Sequence, residues 1–398
     1  MELLRETIQE YRQHYGEKPT LVVTAPGRVN LMGEHTDYND GFVLPVAIDR
    51  HICVAAATRS DHILNLHSVD YQSSVSVPLS NLIPNNQTRW ADYSKGVADQ
   101  LLKKGCSLAG ASFCIKGTIP IAAGLSSSAA LEVASAIAFR QLNQLHIGSL
   151  DIIKLAQKAE TDFVGVHCGI MDQFISLMGE KGHALFLDCR SLEFQQIPFP
   201  KGVDLVICDT GIKRELSDSA YNQRRKECED AVRELTTYHH GLTSLRDISY
   251  QEFQKVQQKI SPISSRRALH VITENGRVLQ TVDAMKINDL KLMGTLMIDS
   301  HMSLRNHYEV SCNELDTIVD IALEVDGVYG ARMTGAGFGG CAICIVSKEK
   351  THHLIERLHT EYPNHTNRTL EIYVTSPQNG AAIVKPQESL IPKKFVQL

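Results

Sequence analysis

A run of small residues at positions 120–130 constrains the fold of this chain more than any other segment. It reads Pro-Ile-Ala-Ala-Gly-Leu-Ser-Ser-Ser-Ala-Ala, and the apolar residues after it recur at helical spacing, which predicts a helix over 125–142. The first backbone N–H groups of a helix lack partners within it and lie at the positive end of its dipole. The run therefore predicts a phosphate-binding turn, although a serine cap after an ordinary turn is a simpler alternative.

The residue types in this run favour the phosphate interpretation. Gly124 lets the backbone come close to a ligand, and Ser126, Ser127 and Ser128 stand where the helix is expected to begin. The chain contains no Gly-Lys-Ser or Gly-Lys-Thr, so the run is not a Walker A loop.

The predicted elements indicate an α+β chain with two domains. Strands are expected at 21–24, 52–58, 113–118, 204–209 and 341–346, and further helices at 1–19, 149–163 and 219–235. Their order is mixed, which argues against a doubly wound sheet. A length of 398 residues favours two domains. The pattern breaks at 197–202, so we predict domains at 1–200 and 201–398.

Composition narrows the possible partners and the compartment. The net charge of −5 gives no indication of a nucleic-acid partner, which would require a basic face. The uncharged stretch 117–131 is full of small residues and too short to span a bilayer. Ten scattered cysteines form no disulfide framework, and the N-terminus is charged from Glu2 onward, unlike a signal peptide. We therefore expect a cytoplasmic protein with no membrane partner.

A dense polar cluster at 26–38 is the second notable feature. It reads Pro-Gly-Arg-Val-Asn-Leu-Met-Gly-Glu-His-Thr-Asp-Tyr and follows a predicted strand. Glu34, His35 and Asp37 offer acceptors and a switchable donor, as a polyhydroxylated ligand would require, and Arg28 adds a permanent cation. A solvated turn is the plain alternative.

Two shorter segments complete the set of motifs. Asp172 stands in Gly-Ile-Met-Asp-Gln at 169–173, and Glu160 precedes it on a predicted helix. The segment 335–340 reads Gly-Ala-Gly-Phe-Gly-Gly, but it leads into a strand instead of a helix, which excludes a dinucleotide-binding turn. A glycine-rich turn over a ligand, or a tight hairpin, fits better.

These motifs resemble those of the GHMP small-molecule kinase superfamily, in the same order. The cluster at 26–38 resembles the galactokinase signature, and the turns at 120–130 and 335–340 resemble the second and third motifs. The stretches 168–174 and 181–191 resemble galactokinases of the animal type.

The resemblance implies both a fold and a reaction. The fold would be a two-domain α+β GHMP kinase fold, with a ribosomal-S5-like N-terminal domain, a ferredoxin-like C-terminal domain and the active site between them. The reaction would be transfer of the γ-phosphoryl group of ATP, with Mg²⁺, to the C1 hydroxyl of α-D-galactose. That reaction is the first committed step of galactose catabolism.

The resemblance also implies residue roles, position by position. Asp172 matches the catalytic aspartate and Arg28 its partner. The sugar-binding positions are Glu34, His35, Asp37, Gly169 and Tyr221. The ATP-binding positions are Gly124, Leu125, Ser126, Ser127, Ser128 and Trp90, the last beside the adenine. Ser128 and Glu160 match the Mg²⁺ ligands.

Several alternatives stay open at this point. An N-acetylgalactosamine kinase would keep every motif. A catalytically silent galactose sensor would bind ATP and galactose without turnover, although the uninterrupted serine run and the intact Asp172 argue for catalysis. Asp172 would act either as a general base or only as a group that orients the hydroxyl, because a loose phosphoryl-transfer transition state needs little activation of the nucleophile. No obligate protein partner is expected.

Overall fold

A six-stranded sheet forms the base of the first part of the chain. The computed structural model describes residues 2–212 and 217–384, without the side chains of 217–219. The strands are β1 (Leu21–Asn30), β3 (Pro45–Arg59), β4 (Ile63–Ser68), β5 (Ser73–Pro78), β6 (Gly110–Gly117) and β13 (Ala382–Val384). Their order is β13-β1-β3-β6-β4-β5, with β4 and β6 parallel and all other neighbours antiparallel.

Helices cover both faces of this sheet. They are α1 (Glu2–Tyr15), α2 (Arg89–Lys103), α3 (Ser127–Leu142), α4 (Ser149–Lys158) and α5 (Met171–Met178). Successive strand residues point to opposite faces. Val22 accordingly packs with Ile8 and Tyr11 of α1, and its neighbour Val23 belongs to the main core, where α3 crosses β1 and β3. The main core therefore lies between this sheet and α3.

A second, four-stranded antiparallel sheet forms the later part of the chain. Its strands are β9 (Val203–Asp209), β10 (Val328–Thr334), β11 (Cys341–Ser347) and β12 (Glu371–Thr375), in the order β10-β11-β9-β12. A small third sheet contains β2 (Phe42–Val43), β7 (His183–Asp188) and β8 (Phe194–Pro198). The remaining helices are α6 (Ser217–Thr236), α7 (Tyr250–Val256), α8 (Pro262–Lys286), α9 (Leu290–Ser303), α10 (Asn313–Leu323) and α11 (Thr351–Thr366). This mixture of sheets and helices confirms the predicted α+β fold.

Several element boundaries differ from the sequence-based prediction, and three of the differences have clear local reasons. β1 continues beyond residue 24 to Asn30, with a register shift next to Gly27, where a side chain would meet the Leu125 carbonyl oxygen at 2.5 Å. α3 begins at Ser127, because Ser126 adopts a left-handed backbone with φ 60°. The helix predicted over 149–163 leaves α-helical geometry after Lys158 and ends in a π-helical turn at Ala159–Val164.

None of the helices in the described ranges has both the length and the apolar character that crossing a bilayer requires.

Candidate active site

A cavity of about 390 Å³ collects the sequence-predicted residues from both parts of the chain. Those that line it are Arg28, Glu34, His35, Asp37, Trp90, Gly124, Ser126, Ser127, Ser128, Glu160, Gly169, Asp172 and Tyr221. Leu125 is the exception among the predicted residues, because its side chain is buried in the main core while its carbonyl oxygen accepts a hydrogen bond from the Arg28 backbone. The glycine-rich turn at 335–340 contributes Gly335 and Ala336 to the lining of the same cavity.

Arg28 and Asp172 form a two-pronged ion pair at the centre of the cavity. Nε and Nη2 of Arg28 donate to Oδ1 and Oδ2 of Asp172 at 2.7 and 2.6 Å, and Nη1 donates to the Gly124 carbonyl at 2.8 Å. The Ser126 hydroxyl also donates to Asp172. The two parallel hydrogen bonds from the planar guanidinium, called the Arg28–Asp172 fork below, hold the carboxylate in the guanidinium plane. The aspartate is thereby fixed directly beside the turn at 120–130.

The turn at 120–130 has the geometry of an anion site. Ala122, Gly124 and Ser126 all have positive φ values, which bends the chain tightly before α3 begins. Ser126 makes no side-chain cap to the helix, since its hydroxyl binds Asp172 instead. The first N–H groups of the 16-residue α3 therefore face the cavity wall without a serine cap, which favours a bound phosphate.

Glu160 lies in the π-helical turn beside Ser128. Its carboxylate accepts a hydrogen bond from the Cys168 thiol, and the nearby Ser128 hydroxyl limits the rise of its pKa. Burial and the nearby Asp172 raise the pKa of Glu160 to about 7. Groups of three or more His, Cys, Asp or Glu placed to hold a metal are absent from the described part of the chain. A serine and a buried carboxylate still fit Mg²⁺, which prefers hard oxygen ligands and keeps several waters.

Asp37 and Gly169 lie in direct contact on another wall of the cavity. A Cβ atom at Gly169 would stand 1.8 Å from Oδ2 of Asp37, so only glycine allows the aspartate its present position. Burial and the nearby Asp172 raise the pKa of Asp37 to about 7. A half-buried acid beside the backbone of a glycine suits a ligand with hydroxyl groups.

Aromatic rings surround His35. Nδ1 of His35 lies 2.7 Å from the Tyr38 hydroxyl, which lies 2.8 Å from the Tyr308 hydroxyl. The ring of Tyr221, on α6, stands 5.6 Å from the His35 ring. These contacts explain how a residue distant in sequence, Tyr221, reaches the polar cluster.

Glu34 lines the cavity, yet its carboxylate is bound to other parts of the chain. Oε2 lies 2.6 Å from Nη2 of Arg332, a fully buried residue of β10. Oε1 accepts hydrogen bonds from the Thr334 hydroxyl at 3.1 Å and the Gly335 backbone at 3.0 Å. Glu34 thus ties the polar cluster to the glycine turn.

Trp90 lines the cavity and faces an aromatic partner, Tyr71. The Tyr71 ring is parallel to it within 10°, at a centroid distance of 6.2 Å. Tyr71 and Arg332 are residues that sequence reasoning missed. Tyr71 stands in a polar stretch and Arg332 in a strand, and neither carries a local signal of a site.

His270 anchors the backbone of the polar cluster and leads to a prediction about pH. Its ring contacts the Glu34 carbonyl oxygen at 3.1 Å and the Ser303 hydroxyl at 2.9 Å. Burial lowers the pKa of His270 to about 4, so the unfolded chain takes up this proton near pH 6.5 and the folded chain does not. Stability from neutral His270 is therefore present above pH 6.5 and lost as the pH falls toward 4.

When the pH is lowered from 7 to 5, we expect the free energy of unfolding to fall by about 2 kcal/mol more in the parent than in His270→Gln. The variant has no imidazole at this position to take up a proton on unfolding. Urea unfolding at the two pH values measures this difference. The exposed His146→Gln is the matched control, with the parent's pH dependence. Equal losses in His270→Gln and the parent would contradict the assignment.

Comparison with known proteins first identifies the fold class. The models for the GHMP kinases N terminal domain and the GHMP kinases C terminal match residues 92–180 and 281–364. The solved mevalonate kinase of Methanococcus jannaschii superposes with a TM-score of 0.65 at 21% identity, covering 90% of this chain and 98% of that chain. At this identity the likeness shows the GHMP kinase fold alone.

More similar relatives then specify the family. The galactokinase galactose-binding signature matches residues 9–58. Curated galactokinases of Chloroflexus aggregans and Roseiflexus sp. are each 44% identical, covering 95% and 96% of this chain and 97% and 99% of their own lengths. The solved Lactococcus lactis galactokinase complexed with galactose has a TM-score of 0.92 at 34% identity, covering 95% of this chain and 99% of its own. The chain belongs to the galactokinase family.

Proposed function

We propose that this chain is a galactokinase that transfers the γ-phosphoryl group of ATP to the C1 hydroxyl of α-D-galactose. The observation that carries the proposal is the Arg28–Asp172 fork, held between an anion-binding helix start and the polar cluster of the galactose-binding signature. The product, a sugar 1-phosphate, would enter galactose catabolism. Phosphoryl transfer depends mainly on positioning and charge stabilisation, and the cavity is built for both.

Asp172 is assigned to the sugar hydroxyl. Its carboxylate would accept the C1 hydrogen bond and take the proton as the phosphoryl group is transferred. The guanidinium of Arg28 would offset negative charge on that group and keep Asp172 oriented. The turnover of Asp172→Asn distinguishes a general base from a group that only orients the hydroxyl.

The nucleotide would lie along the start of α3. Backbone donors at Gly124, Leu125 and the three following serines would hold the phosphates, and the parallel rings of Trp90 and Tyr71 would receive the adenine. Ser128 and Glu160 would hold Mg²⁺, which when bound neutralises charge on the phosphates. A bound cation would also favour the ionised form of Glu160.

The sugar would occupy the wall formed by the polar cluster. Asp37 and His35 present hydrogen-bonding groups there, Gly169 leaves room, and Tyr221 closes one side. Glu34 is assigned to this wall as well, although both of its oxygens accept hydrogen bonds from the chain itself.

Gly169→Ala is expected to raise KM for galactose by about tenfold or more, with a small effect on KM for ATP. The added Cβ would displace Asp37, whose Oδ2 atom it would otherwise approach to 1.8 Å. A loss of one or two hydrogen bonds to the sugar accounts for this magnitude. Steady-state kinetics in each substrate measures it.

Gly276→Ala serves as the matched control, because a Cβ there meets no atom within 4 Å. An unchanged galactose KM in Gly169→Ala would remove Asp37 from the proposed sugar wall.

The reaction itself is tested by sugar-dependent ADP release from Mg·ATP. Galactose, glucose, N-acetylgalactosamine, mevalonate and homoserine are compared at equal concentration. Turnover confined to galactose supports the proposal. A preference for N-acetylgalactosamine would identify that sugar as the substrate and leave the proposed mechanism unchanged. Galactose binding without turnover would indicate a sensor.

Three further assignments are part of the proposal. The division into domains at 1–200 and 201–398 is supported by the change of sheet between β8 and β9. The animal-type resemblance rests on 168–174 and 181–191 only, since the relatives named above are bacterial. A cytoplasmic location is supported by the ten cysteines, all of which lie in the described residues and carry thiols instead of disulfides.

A further inference from the structure

A buried bridge of two polar side chains lies next to Glu160. Nε2 of Gln173 lies 2.8 Å from Oε2 of Glu160 and 3.0 Å from Oε2 of Glu132. Gln173 and Glu132 are fully buried and lie outside the cavity lining. A side-chain amide has two N–H donors, so Gln173 can donate to both carboxylates at once.

The bridge joins three elements that carry proposed site residues. Glu132 stands four residues after Ser128 on α3, which places both on one helix face. Gln173 directly follows Asp172 on α5, and Glu160 lies in the π-helical turn. One amide therefore connects the elements that hold the phosphate turn, the aspartate and the metal-binding carboxylate.

Packing alone gives no reason for these residue types. Oε1 of Glu132 and Oε1 of Gln173 are buried and have no hydrogen-bond partner among the described residues. Burial and the neighbouring Glu160 also raise the pKa of Glu132 well above its usual range. An apolar pair of the same size would avoid two buried polar atoms without a hydrogen-bond partner. The polar pair is consistent with a requirement for a donor facing Glu160.

We propose that Gln173, held in place by Glu132, is a positioning residue that aims the Glu160 carboxylate at the metal ion. This inference rests on the proposed role of Glu160 as a Mg²⁺ ligand. Hydrogen-bond partners of a metal ligand fix its orientation, and their loss typically weakens metal binding by about 10–100-fold.

The test measures Mn²⁺ binding to the full chain in the presence of ADP, by the electron paramagnetic resonance signal of free Mn²⁺. Gln173→Leu and Glu132→Leu are expected to raise the Mn²⁺ dissociation constant about 10–100-fold. Glu132→Gln keeps an oxygen that accepts from Gln173 and is expected to stay within about threefold of the parent. Galactose binding should change little in all three variants.

Ser135→Ala is the matched control for a lost buried hydrogen bond on the same helix. Its hydroxyl bonds to Ser94 at 2.8 Å, outside the proposed site, so Mn²⁺ binding should equal that of the parent. If Gln173→Leu does not fold, as judged by circular dichroism, Gln173→Asn withdraws the amide while keeping it polar and should also weaken Mn²⁺ binding.

Glu160→Gln distinguishes a failure of the proposed metal role of Glu160 from a failure of the positioning role of Gln173. If it leaves Mn²⁺ affinity unchanged, the proposed metal role of Glu160 fails. If it weakens Mn²⁺ binding while the folded Gln173 variants bind as the parent does, only the positioning role is overturned. Equal losses in Glu132→Gln and Glu132→Leu would overturn the role of Glu132 as the acceptor that holds Gln173.

Discussion

Asp172→Asn is expected to lower kcat by about 10²–10⁴-fold while galactose binds with nearly unchanged affinity. The amide has the size of the carboxylate, so the space beside the turn at 120–130 is kept. It cannot take a proton from the sugar hydroxyl, and it leaves the Arg28 guanidinium, now paired at 2.6 and 2.7 Å, without a counter-charge. Single-turnover phosphorylation and galactose titration measure the two quantities separately.

Asp162→Asn provides the matched control, since this aspartate is exposed on the nearby π-helical turn and accepts a hydrogen bond from the adjacent Thr161 hydroxyl. Its kcat should equal that of the parent. Turnover in Asp172→Asn within about threefold of the parent would exclude proton transfer to Asp172 and leave only an orienting role.

Arg332→Met is expected to destabilise the fold by about 3–5 kcal/mol, the usual cost of removing one partner from a buried ion pair. Arg332 is fully buried, with Nη2 2.6 Å from Glu34 and 3.7 Å from Glu274, and Nη1 donates to the Asn30 carbonyl. The variant leaves both buried carboxylates without this cation. The shift of the urea unfolding midpoint measures the loss.

Arg332→Lys is the informative companion. It keeps the charge but not the planar fork, so an intermediate loss is expected. Galactose affinity should follow stability in the same order, because Glu34 sits in the polar cluster that lines the cavity and is proposed to bind the sugar. A midpoint for Arg332→Met equal to that of the parent would show that the pair contributes nothing net.

Local features of the site could be predicted from sequence. The turn at 120–130 is marked by small residues before a helix, and the polar cluster at 26–38 is marked by side chains that a core does not need. Both line the cavity. The α+β fold follows from the mixed order of elements, because hydrophobic spacing distinguishes strands from helices over short windows.

Long-range partners could not be predicted in the same way. Arg332 meets Asn30 and Glu34 across about three hundred residues, and nothing in the strand Val-Tyr-Gly-Ala-Arg-Met-Thr indicates that pairing. Gln173 stands beside a recognised aspartate, yet its amide reaches Glu132 on another helix. The π-helical turn also escapes prediction, because its hydrogen bonding depends on tertiary contacts more than on residue preference.

The pairing of β13 with β1 has a consequence for synthesis on the ribosome. Val22 lies opposite Val384, so the first sheet receives its edge strand only after nearly the whole described chain has been made. Until then the outer edge of β1 keeps unpaired backbone groups, which can recruit other extended chains. A nascent chain halted before residue 382 should therefore depend more on chaperones than the finished one.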